Sequence, residues 1–98
     1  MSEVYFHRLI KKDLDQILEY YIREGGDALA DRFFEDAEAL VKQIANNPKR
    51  FHLCNKRFRR ANFRNFPFHF LYEETTKGIK VTVLRHHQRN PKFGLQRE

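Results

Sequence analysis

The sequence predicts an α+β domain: a short N-terminal strand, a helical hairpin, then a three-stranded antiparallel meander (β-α-α-β-β-β). Three observations carry this. Apolar residues recur at helical spacing from about residue 10 to 46. After Pro48 the spacing changes to alternation, the period of a half-buried strand. The 98 residues, 41% hydrophobic with ten Phe, suffice for one modest core and hence a single domain, 1–98.

Each element follows in order. Val4 and Phe6 alternate with Tyr5 and His7, a short first strand. Leu14, Ile17, Leu18 and Tyr21 fall at i, i+3, i+4 and i+7, one stripe of an amphipathic helix. Gly25-Gly26 supplies the positive φ that ends it, and Asp27 can cap the next helix. Leu29, Phe33, Ala37, Leu40 and Ile44 form the second stripe, stopped at Asn46-Asn47-Pro48 because proline disfavours helical geometry before it. Residues 49–56 read as a basic loop, and Phe58 to Phe63 as a strand of poor alternation. Phe66, Phe68, Phe70 and Tyr72 then alternate with polar or smaller neighbours. A Thr75-Thr76-Lys77-Gly78 turn leads to Ile79, Val81 and Val83, completing a β-hairpin. Phe68, Phe70 and Tyr72 are expected to face the helices. Val81 and Val83 are expected to share one side of their strand with His87, and Leu84 to share the other with His86.

Composition bounds the function. Nothing reads as a signal peptide or a membrane span, and the single Cys54 cannot form an internal disulfide. A cytoplasmic protein with no membrane partner is expected. The net charge of +6 conceals an asymmetry. Residues 1–38 carry ten acids and five bases, whereas residues 39–98 carry three acids and fourteen bases. No Asp or Glu occurs from Ala39 through Tyr72, a span that holds Lys42, Lys49, Arg50, Lys56, Arg57, Arg59, Arg60 and Arg64. A field of one sign points to a polyanionic or acidic partner. Part of it can also be neutralised by the acidic first half.

The stretch RRANFRNFPFHFLYEETTKGIKVTVLRHHQRNP, with DLDQILEYY in the first helix, resembles the RelE/ParE superfamily of toxins, in its ParE-like branch. Arg59 and Arg60 supply the paired arginines. Phe66, Pro67 and Phe68 open a strand that carries Tyr72. His86, Arg89 and Pro91 give the closing His-x-x-Arg-x-Pro. The resemblance covers nearly the whole chain. It implies the toxin half of a type II toxin–antitoxin (plasmid stabilisation) system, inhibiting bacterial growth until a cognate antitoxin binds in a toxin–antitoxin hetero-oligomer. It also implies one of two targets: DNA gyrase, poisoned without nuclease chemistry, or ribosome-bound mRNA, cut as RelE-type members do. Fold alone does not choose between them.

Metal-free RNA cleavage needs a base, a cation for the phosphorane charge and an acid for the leaving oxygen. If the chain is a nuclease, His86, His69 and Arg60 are the candidate catalytic groups. Arg57, Arg59, Arg60, Arg64, Arg85 and Arg89 are the candidate contacts to a target or nucleic acid. His69 is placed on an exposed, concave face beside the arginine-rich strand. Phe58, Phe63 and Phe66, interleaved with arginines, are either a stacking surface or core. The histidines lack a Cys or carboxylate partner at ligand spacing, so no metal and no cofactor is expected. Against cleavage stand the missing carboxylate in the acid-free span and the absence of any Tyr beyond Tyr72. Gyrase poisoning is therefore the preferred reading and ribosome-dependent mRNA cleavage the alternative. A basic nucleic-acid-binding module without toxicity is a third.

Overall fold

The computed structural model describes residues 3–98. The order is β1 (Val4–Phe6), α1 (Ile10–Asn46), β2 (Arg59–Asn62), β3 (Phe68–Thr75) and β4 (Gly78–His86). Gly26 breaks α1 into two arms, with φ 79° and ψ −177°, a conformation costly for any residue with a Cβ. The helical hairpin expected from the paired stripes is thus present as arms 10–25 and 27–46. Tyr21 and Phe33 meet across it, their ring centroids 5.5 Å apart.

The four strands lie in the order β1-β4-β3-β2. The meander is antiparallel, and β1 joins β4 in parallel, so β1 and β2 are the sheet edges. The face toward the helices is apolar. Ala61, Phe70, Tyr72, Ile79, Val81 and Leu84 pack there against Ile10, Phe33, Leu40 and Ile44. Phe33 is the hub: it stacks on Phe63 at 4.8 Å and meets Phe66 and Phe68 edge-on at 5.1 and 5.2 Å. Phe58 and Phe63 are buried and Phe66 is half-buried, so these aromatics are core, not a stacking surface.

One irregularity alters the expected alternation. Tyr72 pairs with Val81 but Leu71 pairs with Val83, which leaves Thr82 as the extra residue of a β-bulge. The bulge flips the parity of β4 beyond it. Val81 and Leu84 therefore both face the helices, while Val83 turns to the outer face with Leu71 and Phe58. Simple alternation had placed Val81 and Val83 together.

The outer face is not open. Phe93 and Leu95 pack on the Phe58–Leu71–Val83 cluster, so residues 90–98 fold back across the sheet. Three arginines hold this strap. Arg85 Nη1 donates to the carbonyls of Pro91 and Phe93 at 2.9 and 3.0 Å. Arg57 grips Glu73 and also donates to the carbonyls of Leu95 and Arg97. Arg97 forms a bidentate pair with buried Asp13 (2.6 and 2.9 Å) and donates to the Thr82 carbonyl. Asp13 also accepts the Leu84 N–H at 3.2 Å, so helix, bulge and strap meet at one carboxylate.

Candidate functional site

The outer-face ends of β2, β3 and β4 bring four basic side chains together. Cross-strand pairing sets Arg60 beside Leu71, Asn62 beside His69 and His69 beside Arg85, all on one side of the sheet. His87 follows β4, its N–H held by the Pro67 carbonyl at 2.9 Å. Its ring stacks on His69, centroids 5.2 Å apart and planes 13° from parallel.

The hydrogen bonds fix the protonation pattern. Arg85 Nε–H donates to His69 Nε2 at 2.9 Å, so the His69 proton is on Nδ1. Nδ1–H then donates to His87 Nδ1, also at 2.9 Å. Arg60 Nη2 donates to the same His87 nitrogen at 3.0 Å. His87 therefore carries its proton on Nε2. Both rings are neutral: burial first, then Arg60 and Arg85, push His69 down to about 3, and burial followed by Arg60 lowers His87. His69 has both nitrogens engaged, and the basic nitrogen of His87 is occupied by two donors. A general base needs a free lone pair within reach of the proton it takes. This cluster presents the Arg60 guanidinium and the His87 Nε2–H outward and offers no such lone pair.

The predicted site residues thus fall into different roles. Arg60 and His69 do come together, through His87, which was not among the candidate catalytic groups. His69 lies on the expected face but is 1% exposed, not open to solvent, because His87 stacks over it and Arg85 packs beside it. His86 is turned away from the pair. It lies on the helix side, edge-on to Phe68 at 5.0 Å, and its Nδ1 accepts the Gln88 N–H that closes the turn. The proposed trio of His86, His69 and Arg60 is therefore not one constellation.

The six arginines likewise do not form one field. Arg57 is committed to Glu73 and the strap carbonyls, and its guanidinium lies 4.5 Å from the Phe58 ring centroid. Arg59 donates to the Phe51 carbonyl at 2.7 Å and lies 3.6 Å from Glu74. Arg85 is buried under the strap, and burial lowers its pKa. Arg60, Arg64 and Arg89 keep outward-facing surface, Arg89 over the Phe93 ring at 4.1 Å.

The motif positions are mostly structural. Tyr72 is buried, its hydroxyl donates to the Pro48 carbonyl, and burial pushes its pKa up to about 12. Pro67 and Pro91 act through carbonyls that hold His87 and Arg85. The Asp13–Arg97 pair escaped the sequence reading, since nothing local links residues 84 positions apart. Among the described residues no cluster of three or more His, Cys, Asp or Glu could hold a metal ion, and no helix is long and apolar enough to cross a membrane.

On the opposite side of the molecule lies an apolar groove of about 350 Å³. Phe6, Ile10, Leu14, Phe34, Val41 and Leu84 line it, between the helical arms and the β1 edge. Phe6 and Phe34 are 49% and 41% exposed, a large apolar area left without cover.

Comparison with known proteins agrees with this architecture. The family described as ParE toxin of type II toxin-antitoxin system, parDE, matches residues 4–91. Toxin ParE2 of Mycobacterium tuberculosis, in both strain CDC 1551 / Oshkosh and strain H37Rv, is 26% identical over 85 residues, covering 87% of this chain and 81% of the relative. A solved chain described as the chromosomal ParDE TA system from P. aeruginosa superposes with a TM-score of 0.78 at 19% identity, over 88% of this chain and 96% of that one. With the family match spanning nearly all of the strand–hairpin–meander core, the chain belongs to the ParE toxin family of type II toxin–antitoxin systems.

Proposed function

We propose that this ParE-family toxin inhibits bacterial growth by binding and poisoning DNA gyrase, and that a cognate antitoxin neutralises it. The observation that carries the choice of target class is the hydrogen-bond chain Arg85–His69–His87–Arg60. Its histidines are neutral and engaged, with the exposed groups acting as donors. That chemistry favours contact with an anionic or carbonyl-rich surface over proton transfer. Ribosome-dependent mRNA cleavage would need a free base beside the arginines, and the family match does not favour that alternative.

The apolar groove supports the antitoxin part of the reading. Phe6 and Phe34 offer anchor positions, and the adjacent β1 edge can accept an added strand. The basic excess of residues 39–98 suits acidic flanks on that segment. An antitoxin that binds only the folded toxin must raise its thermal midpoint with concentration. Gyrase supercoiling and cleavage assays test the first part: purified toxin should trap cleaved plasmid, and equimolar antitoxin should abolish this. Unimpaired supercoiling at micromolar toxin would reject gyrase as target.

A further inference from the structure

We propose that the cleft between the 27–46 arm and the β2 edge binds single-stranded nucleic acid, one unstacked nucleotide at a time. The cleft measures about 630 Å³, and Gln43, Arg50, Phe51, Asn62, Arg64 and Asn65 line it. It collects two cations of the acid-free span, Arg50 and Arg64. Ion pairs engage Arg57 and Arg59, and hydrogen bonds to His87 and Asn62 hold Arg60 on the outer face. Arg50 and Arg64 have no carboxylate partner among the described residues, and both turn to this cleft.

The remaining polar groups select the ligand. Asn62 spends its Oδ1 on Arg60 Nε on the outer face, so Gln43 is the amide donor of the cleft. Asn65 spends its Nδ2 on Asp36, at 3.0 and 3.3 Å, leaving its Oδ1 as an acceptor. That bond also occupies the one carboxylate lining the cleft. A paired donor and acceptor complement a base edge, whereas the carboxylates of an acidic peptide would use donors alone. The half-buried Phe51 ring, with Arg50 5.6 Å from its centroid, gives a stacking platform beside two phosphate-binding cations. Stacking of this kind needs a base whose faces are free, which a duplex does not present.

Anisotropy of a labelled single-stranded 12-mer against the full chain tests this. Wild type should bind it at least tenfold tighter than the matching duplex. The double variant Arg50→Glu/Arg64→Glu should bind at least tenfold more weakly with an unchanged thermal midpoint. Arg50→Gln/Arg64→Gln should lower the slope of log affinity against log salt by about 1.4, the value for two lost phosphate contacts on a single strand. Lys77→Glu, a charge reversal in the β3–β4 turn, should leave binding within twofold. Equal losses in Lys77→Glu, equal affinity for duplex, or displacement by a polyglutamate peptide as effective as unlabelled strand would each overturn the assignment. The assay contains no gyrase, so failure of the gyrase reading would leave its result unchanged.

Discussion

The two faces of the sheet are held by different physics. The helix face is a dry aromatic core in which Phe33 touches three other Phe rings. Its stability comes from burial and dispersion, both insensitive to pH and salt over the ordinary range. The outer face is a polar lattice: neutral histidines, three strap-holding arginines and one buried carboxylate. Each of those groups is worth little if solvated and much if stranded without a partner. One face is therefore a foundation, and the other a sculpted surface with fixed donors. The difference explains how a domain with so small a core can display cationic groups without a mobile active site.

Substitutions separate the faces by magnitude. Phe33→Ala should cost about 3–5 kcal/mol, through lost burial and the cavity left among the rings. Chemical denaturation would show this as a loss approaching the stability of the whole domain. Asp13→Ala comes next, at about 3 kcal/mol, because it strands the half-buried Arg97 and the buried Leu84 N–H. It should also free the strap, visible as faster amide exchange at residues 93–97. A strap unmoved by this change would mean that Phe93 and Leu95 hold it by packing alone.

The outer face should also carry the acid sensitivity. His69 has a folded-state value of about 3 against 6.5 when unperturbed, so the unfolded chain takes up its proton first. Its contribution is intact above about pH 6.5 and declines as pH falls toward 3. One such group changes stability by about 1.4 kcal/mol per pH unit, hence about 2 kcal/mol or somewhat more between pH 6.5 and 4.5. His69→Gln should flatten that slope, whatever its effect at neutral pH. An unchanged slope in denaturant melts at several pH values would assign the sensitivity elsewhere. The smallest effect is expected at Arg57→Ala, about 1 kcal/mol or less, since the Arg57–Glu73 pair is part-exposed and screened. Raising salt should shrink the difference further.

The sequence made the helix face legible and left most of the outer face hidden. Phe68, Phe70 and Tyr72 declare their side by period-two spacing, and the helical stripes declare theirs by period 3.6. Gly26 marked the hairpin because few residues other than glycine sit comfortably at its positive φ. The bulge at Thr82 was not legible, since it is a property of pairing between strands and not of either strand alone. The strap was hidden for a related reason. Residues 90–98 look like a polar tail, and only Arg57, Arg85 and Arg97 reaching across 6 to 84 positions fasten it. Arginine in a sequence shows charge but not partner. The expected six-arginine field thus dissolved into ion pairs and carbonyl contacts, with Arg60, Arg64 and Arg89 still facing outward.

The central claim is that the histidine–arginine cluster displays fixed donors and does not move protons. Induced expression of wild type and His87→Ala in a bacterium, with RNA and chromosomal DNA integrity followed in parallel, tests it most directly. Both proteins should cause DNA damage and filamentation while translated messages stay intact, His87→Ala with toxicity largely retained. Codon-phased mRNA cleavage within minutes of induction, lost 10²–10⁴-fold in His87→Ala as removal of a general acid or base would require, would contradict the account.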